Sequence, residues 1–175
     1  GDVYALDPNK GGAIVWHNKV GRGGFLGGVH WGMSANGDSL FVPIADTTIT
    51  GRFTGPVSPG IHALDPTSGE VRWYTPSVAD CDGKSPIPVC DQGMSAAITS
   101  TDQLVFAGSL DGNLNVYDSL SGEILWSFDT FGDFEAVSGD TALGGSIESD
   151  GPVLYKGHVV INSGYQFGAR MPGNA

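Results

Sequence analysis

The chain has little positive charge. Its 175 residues include eight Lys and Arg against nineteen Asp and Glu, which gives a net charge of −11. Nucleic acids and anionic lipid surfaces are bound through clusters of basic side chains, so this composition argues against both as partners. The sequence also contains no apolar run of membrane-spanning length, and we expect no membrane insertion.

Helical periodicity and the common catalytic motifs are missing as well. No stretch repeats its apolar residues at the spacing of an amphipathic helix, so we expect almost no helix. The Gly-rich run at 21–24 is not followed by Gly-Lys-Ser/Thr, and no Gly-x-Ser-x-Gly, His-Glu-x-x-His or Cys-x-x-Cys-His motif occurs. These absences argue against a phosphate-binding loop, a serine-hydrolase elbow, a zinc-peptidase helix and covalent haem attachment.

Cysteine is nearly absent, and its two copies flank one segment. Cys81 and Cys90 bracket residues 82–89, where Pro86 and Pro88 favour an exposed loop. Two cysteines around such a loop are typical of a disulfide formed in an oxidising compartment, which would place the protein in the periplasm or outside the cell. Two free thiols and a metal-binding pair are the alternatives, although no His or further Cys is close in sequence to complete a metal site.

What the chain does contain is a threefold repeat. The stretches that begin at Ala5, Ala63 and Val116 each read as a short apolar strand ending in Asp, a polar turn with Gly, a second strand and a Trp. The Asp residues recur after 58 and 53 positions and the Trp residues after 57 and 53. A period of this size indicates repeated supersecondary units built of strands. The repeat residues are Asp7, Asp65 and Asp118, and Trp16, Trp73 and Trp126.

Two units are complete enough to predict four strands each. Asn36-Gly37 and Asp111-Gly112, set between alternating apolar residues, are strong hairpin signals. The predicted strands are 32–35, 40–44, 61–64 and 71–73 in one unit, and 94–99, 104–108, 113–118 and 124–128 in the next. Four antiparallel strands joined by turns at this length form one blade of a β-propeller.

The sequence therefore predicts an all-β fold, a β-propeller of four-stranded antiparallel blades, present here in part. The predicted divisions are a partial blade at 1–27, blades at 28–78 and 79–131, and a partial blade at 132–175. The last would begin with strands at 146–147 and 159–162. Such a set cannot close a ring, so we expect a truncated or mature piece whose open edges are completed by further blades of the same propeller or by partner chains.

The Ala-Leu-Asp-Pro-x-x-Gly-x-x-x-Trp unit resembles the tryptophan-docking repeat of pyrroloquinoline quinone (PQQ) dehydrogenases, which are propellers. From about Gly28 onward the chain resembles the C-terminal part of polyvinyl-alcohol-dehydrogenase-like quinoproteins. It departs from their pattern at 136–139, where Ala-Val-Ser-Gly stands in place of Thr-Val-Asn-Gly. The resemblance implies that Trp16, Trp73 and Trp126 pack between neighbouring blades. The other segments that carry the resemblance are 81–90, 92–97, 106–112, 133–135, 144–146, 162–165 and 171–174.

The resemblance implies a PQQ-dependent dehydrogenase that oxidises a small or polymeric alcohol, with Ca²⁺ polarising the quinone. Its calcium ligands and catalytic base would lie in blades outside this segment, which we expect to be inactive alone, and no catalytic residue is assigned here. The alternative is a cofactor-free propeller that binds proteins or polysaccharide, because outer-membrane assembly scaffolds share the docking repeat. A structural module completed by partner chains through strand addition is a third hypothesis.

Four residues are candidate cofactor contacts, against the simpler explanations of packing, blade contacts and turn chemistry. Trp31 falls outside the docking motif and suits stacking on a planar quinone, and His30 suits a base or an axial hydrogen-bonding group. Gln92 is placed to bind a quinone carboxylate or carbonyl. Asn162 ends a strand before a Gly-rich loop, as rim residues do.

Acidic side chains are interpreted as structural. The repeat Asp residues are predicted to cap turns. The pairs Asp133 with Glu135 and Glu148 with Asp150 lack the alternating spacing of a calcium-binding loop, and solvated turns explain them better.

Overall fold

The regular secondary structure of the described residues consists almost entirely of antiparallel strands. The computed structural model describes residues 1–47, 53–84 and 90–165 together with 171 and 173, and within these a single turn of 3₁₀ helix, Pro8–Lys10, is the only helix. The strands are β1 (Asp2–Asp7), β2 (Ala13–Lys19), β3 (Ser34–Ala35), β4 (Leu40–Ile44), β5 (Gly60–Leu64), β6 (Val71–Pro76), β7 (Thr99–Ser100), β8 (Leu104–Gly108), β9 (Asn113–Asp118), β10 (Ile124–Asp129), β11 (Asp133–Glu135), β12 (Thr141–Leu143), β13 (Val153–Tyr155) and β14 (His158–Val160). No helix among the described residues is long and apolar enough to cross a membrane.

In the part of the chain that the structure describes, the strands form two four-stranded blades and three hairpins. The four-stranded sheets follow the chain order, β3-β4-β5-β6 and β7-β8-β9-β10, and the hairpins are β1-β2, β11-β12 and β13-β14. Strands β3 and β7 lie at the same end of their sheets and contact each other, so the two blades converge on their first strands. This arrangement, an open set of propeller blades, confirms the predicted fold class.

The repeated Asp residues organise the outer hairpins. Asp65 Oδ1 accepts hydrogen bonds from the backbone N–H groups of Thr67 and Ser68, and Asp118 Oδ1 does the same for Leu120 and Ser121. Asp7 accepts one such bond in the first copy. A carboxylate that accepts from the following N–H groups fixes the turn, as the sequence predicts.

The hydrophobic core lies between blades. Phe41, Ile61 and Ala63 of one sheet pack with Met94, Val105 and Tyr117 of the next, and all six are almost fully buried. A second cluster, centred on Val42, Ile44 and Leu64, reaches back to Val3 of the first hairpin. Each blade therefore buries its apolar face against its neighbour rather than alone.

Two of the three repeat Trp residues dock onto the following blade. Trp16 Nε1 donates to the carbonyl of Pro66 at 3.0 Å, and Trp73 Nε1 donates to the carbonyl of Ser119 at 3.1 Å. Trp126 is half exposed and stacks on Phe128 of its own strand, with ring centroids 5.9 Å apart.

Cys81 and Cys90 form a disulfide, with Cα atoms 5.7 Å apart. Lys84 lies inside the segment that the disulfide closes, and its side chain is almost fully buried. Its Nζ donates to the carbonyl of Asp111 at 2.8 Å and to Asp129 Oδ1 at 3.0 Å. The two hydrogen bonds of this buried ammonium fix Lys84 to the blade β7–β10.

The first strand of each blade differs from the prediction. Strands β3 and β7 have two residues each, because the residues before them bond to neighbouring blades. Met94 N donates to the carbonyl of Ile44, and Ala97 N donates to the carbonyl of Ser149. No strand forms at 146–147, and the strand predicted at 159–162 is observed as β14 at 158–160. Strand β13 and the hairpin β11-β12 were not predicted from the sequence.

Candidate functional site

One backbone position recurs at the convergent end of three successive blades. Ala45 N donates to the carbonyl of Gly28 just as Leu110 N donates to the carbonyl of Gly93, so the residue two positions after each glycine is equivalent. These residues are His30 and Ser95. The third equivalent residue is Glu148, because Ile147 N bonds to Ser109 as Met94 N bonds to Ile44.

The three side chains at this position are hydrogen-bonded in a row. His30 Nδ1 lies 2.7 Å from Ser95 Oγ, and Ser95 Oγ donates to Glu148 Oε1 at 2.9 Å. His30 Nδ1 lies 3.9 Å from the same carboxylate oxygen. We call His30, Ser95 and Glu148 the axial triad, since they lie at the converging ends of their blades.

Burial increases along the axial triad. Ser95 and Glu148 are fully buried, whereas 27% of the His30 side chain is exposed. The interpretation of Glu148 as a solvated turn residue was therefore wrong. A carboxylate in such surroundings needs charged or hydrogen-bonding partners, and the equivalent position in the preceding blade supplies one.

Burial sets the protonation of His30. Desolvation lowers the pKa of His30 below its ordinary value of 6.5, because burial disfavours the charged imidazolium. The Glu148 carboxylate lies 3.9 Å from His30 Nδ1. A negative charge there acts against the effect of burial, because it stabilises the positively charged imidazolium. Burial therefore favours the neutral form of the ring.

Of the four sequence-predicted site residues, the structure places His30 and Trp31 side by side and Asn162 against the backbone of Glu148. The Trp31 ring lies 4.9 Å from the His30 ring at a tilt of 48°, and 47% of Trp31 is exposed. Asn162 Nδ2 donates to the carbonyl of Glu148 at 3.4 Å. Gln92 precedes Gly93 and is half-buried, and its side chain forms no hydrogen bond to His30, Trp31 or Asn162 in the part of the chain that the structure describes.

Ser95 and Glu148 were missed as site residues. In the sequence, each lies as far from the start of its blade as His30 lies from the start of its own. This equivalence becomes visible only when the first strands of the three blades are aligned through their backbone hydrogen bonds. Their residue types differ from His30 and from each other, so no repeated letter marks the position.

The arrangement has the donors for an organic ligand and lacks those for a cation. An exposed indole suits stacking on the face of a planar, oxygen-rich ring. An imidazole and an amide side chain suit hydrogen bonds to the edge of the same ring. Within residues 1–47, 53–84 and 90–165, no group of three or more His, Cys, Asp or Glu side chains is placed to hold a metal ion. The described residues therefore offer groups that could contact a quinone and hold no such cluster of metal ligands.

The open blades and the docking Trp residues define part of a β-propeller with tryptophan-docking repeats. The PQQ_2 family, whose model is described as outer membrane protein assembly factor BamB, matches residues 1–143 and 58–168. The chain belongs to this family.

Individual relatives are polyvinylalcohol dehydrogenases. The chain is 35% identical over 167 residues to the one from a Pseudomonas species and 33% identical over 166 residues to the one from Sphingopyxis sp. (strain 113P3). Each alignment covers 94% of this chain and 25% of the relative, so the chain spans a quarter of the length of these proteins. The resemblance stated from the sequence is confirmed.

A solved structure shows the same fold. The crystal structure of BamB from Moraxella catarrhalis superposes with a TM-score of 0.57 at 18% identity, covering 94% of this chain and 41% of that one. A sequence identity this low supports a shared fold and nothing further.

Proposed function

We propose that this chain forms part of the axial wall of a PQQ-dependent dehydrogenase that oxidises an alcohol, with a polymeric or secondary alcohol as the favoured substrate. The observation that carries the proposal is the axial triad beside an exposed Trp31. A buried carboxylate bonded through a serine to a partly exposed imidazole favours a ligand-binding axis over a cofactor-free scaffold. The identity to polyvinylalcohol dehydrogenases supports the same reading.

Each candidate residue has a separate role in this proposal. Trp31 stacks on the quinone plane, and the Asn162 and Gln92 amides hydrogen-bond to its oxygen atoms. His30 contacts the hydroxyl group of the alcohol. The quinone supplies an acceptor for the hydride when bound, and Ca²⁺ ligands belong to other parts of the propeller.

The proposed surroundings follow from the same observations. The Cys81–Cys90 disulfide supports a periplasmic or extracellular location, because disulfides persist in oxidising compartments. The proposed partners are the remaining blades of the propeller, or chains that complete it, and the alcohol.

The test is quinone binding and turnover by the assembled propeller that contains this chain. We expect PQQ with Ca²⁺ to bind and to support alcohol-dependent reduction of an artificial electron acceptor. Trp31→Ala is expected to weaken quinone binding at least about fivefold, since an aromatic contact of this kind contributes about 1 kcal/mol or more. Tyr4→Ala, a change of an exposed aromatic residue on β1, is the control. Absence of binding after both additions would favour the scaffold.

A further inference from the structure

We propose that a polar cleft between the hairpin β9-β10 and the segment that follows β6 binds a neutral ligand rich in hydroxyl groups. The polar cleft has a volume of about 320 Å³, which lies at the lower end of the range for small-molecule sites. Its polar lining includes Asn113, Asn115 and Tyr117 of β9, Ser127 of β10, and Asp80. None of the lining residues belongs to the axial triad.

The polar cleft lies where the repeat places an aromatic pair in its other two copies. In each outer hairpin, β1-β2, β5-β6 and β9-β10, the residue three positions before the repeat Asp pairs across the strands with the residue after the repeat Trp. This pair is Tyr4 with His17 in the first copy and His62 with Tyr74 in the second. Both pairs stack, with ring centroids 4.3 and 4.2 Å apart.

The third copy replaces the aromatic pair with two smaller polar residues. Asn115 pairs with Ser127, and Ser127 Oγ donates a hydrogen bond to Asn115 Oδ1. An amide and a hydroxyl fill much less space than two stacked rings, so the position remains open as part of the polar cleft. The replacement also changes the chemistry of the wall, because amide and hydroxyl groups both donate and accept hydrogen bonds.

Asp111 fixes one wall of the polar cleft. Its buried carboxylate accepts hydrogen bonds from the backbone N–H groups of Asp80 at 2.9 Å and Asn113 at 3.1 Å, and from Asn113 Nδ2 at 2.9 Å. Asp80 is followed directly by the segment that the Cys81–Cys90 disulfide closes. Polar groups that are held in place before binding reduce the conformational entropy that a ligand must overcome.

The lining selects the class of ligand. The Tyr117 ring is buried, and burial raises the pKa of Tyr117, so its phenol keeps its hydrogen at neutral pH. Asp80 adds an exposed carboxyl group, which favours hydroxyl donors and disfavours anions. None of the described residues that line the polar cleft is Lys or Arg. A sugar ring and a segment of polymeric alcohol share the favoured chemistry.

The polymeric alcohol as the source of these hydroxyl groups rests on the proposed function, whereas binding in the polar cleft does not. The test is a ¹H–¹⁵N nuclear magnetic resonance titration of the intact protein without cofactor. The probes are short-chain polyvinyl alcohol, the neutral disaccharide cellobiose and, as an anionic polymer, polyacrylate.

We expect at least one neutral probe to shift the side-chain amide signals of Asn113 and Asn115, and polyacrylate to leave them unchanged. A response to polyvinyl alcohol alone or to cellobiose alone would support the proposal and identify the source. Unchanged amide signals with both neutral probes would overturn it. An equal response to polyacrylate would overturn the ligand class. This measurement requires no variant to fold.

A double variant tests the location. Asn115→His with Ser127→Tyr introduces into the third copy the pair that the second copy carries, an arrangement that the same hairpin geometry accommodates there. It is expected to weaken binding of the responding neutral probe at least about tenfold, as loss of one or two hydrogen bonds does. Ser138→Tyr adds the same ring to an exposed turn and should leave binding unchanged. Equal affinity in the double variant and the wild type would contradict binding in the polar cleft.

Tyr117→Phe is the more conservative variant, because it keeps the buried ring and removes one hydroxyl. It is expected to weaken binding about two- to tenfold, and undiminished affinity would count against a role for this hydroxyl. The result is separable from the proposed function. Neutral-probe binding by a propeller that takes up no quinone would count against the proposed function alone. Quinone-dependent alcohol oxidation without binding in the polar cleft would overturn this proposal alone.

Discussion

Trp16 packs its indole against the backbone of Gly69 in the following blade. A Cβ added to Gly69 would lie 2.5 Å from the ring, and Gly69 has a φ of +76°. The same relationship joins Trp73 to Gly122, where the distance is again 2.5 Å. The docking repeat thus needs a glycine for two reasons, the left-handed backbone and the close approach of the ring.

The docking contacts yield a stability prediction. Gly69→Ala and Gly122→Ala are each expected to lower the free energy of unfolding by about 2–4 kcal/mol, because strain and overpacking add. The measurement is urea unfolding of each variant. Gly37→Ala is the control, since nothing lies within 4 Å of the added atom, and its effect should stay within about 0.5 kcal/mol. Equal effects at Gly37 and Gly69 would contradict the docking account.

The indole hydrogen bonds can be tested apart from the packing. Trp73→Phe removes the bond to Ser119 and is expected to cost about 1–2 kcal/mol. Trp126→Phe is the comparison, because Trp126 lies half exposed on its own strand in this structure. In the 175-residue chain, a loss for Trp126→Phe as large as that for Trp73→Phe would argue against interblade docking as the source of the difference.

Asp46 ties three segments together with one carboxylate. Burial alone would raise the pKa of Asp46, but backbone N–H groups of Arg22, Ser58, Gly23 and Gly28 hold it below the ordinary value. Their distances to the carboxylate oxygens are 2.7 to 3.1 Å.

Asp46→Asn is therefore expected to lower the free energy of unfolding by about 2–4 kcal/mol. The reason is that the side-chain NH₂ group of Asn would face backbone N–H groups, so that a donor would meet a donor. Chemical denaturation at pH 7 measures this, with the exposed Asp38→Asn as control. The stabilisation by Asp46 is present above pH 3.8 and decreases as the pH falls through its lowered folded-state pKa. A loss of less than about 0.5 kcal/mol would contradict this role.

His62 predicts a second pH dependence. It is buried on β5 and stacks on Tyr74, with ring centroids 4.2 Å apart. Burial lowers the pKa of His62 to about 4, although Asp46 opposes the shift. Between about pH 6.5 and 4 the unfolded chain binds a proton that the folded chain does not, so stability falls as the pH falls.

The expected contribution is about 2–3 kcal/mol between pH 7 and 4.5. Urea unfolding across this range checks it, with His62→Phe expected to flatten the dependence and the exposed His158→Gln expected to leave it unchanged. An identical pH dependence in the wild type and in His62→Phe would sink the assignment.

The disulfide gives a prediction that depends on loop length alone. Cys81 and Cys90 are nine positions apart, and closing a loop of this size is worth about 3 kcal/mol through the unfolded chain. The double variant Cys81→Ser with Cys90→Ser should lose about that much in denaturant unfolding. Lys84→Met removes the contacts of the buried ammonium group and leaves the disulfide intact. Full retention of stability in both the double cysteine variant and Lys84→Met would contradict the anchoring role.

Much of the fold was predictable because blades repeat. The Asp caps and the hairpins around Asn36-Gly37 and Asp111-Gly112 rely on local chemistry that the sequence carries directly. The short first strands were not predictable, because Met94 and Ala97 bond to residues of other blades. Local propensity cannot distinguish such a bond from one within a sheet.

The site was predictable only in part for the same reason. His30 and Trp31 stand out as residue types that the docking motif does not explain. In the sequence, Glu148 resembles a turn residue beside Asp150. It is buried only in the folded chain, where its position in the third blade packs against Ser95 of the preceding blade. Long-range geometry, rather than sequence pattern, creates the axial triad.

The central claim is that this chain lines a quinone site, and equilibrium binding of PQQ to the assembled propeller tests it most directly. With Ca²⁺ present, the account predicts one bound quinone per propeller, quenching of tryptophan fluorescence that Trp31→Ala reduces, and at least about fivefold weaker binding by that variant. A propeller that stays empty with PQQ and Ca²⁺ supplied, or that binds equally well without Trp31, would contradict the account.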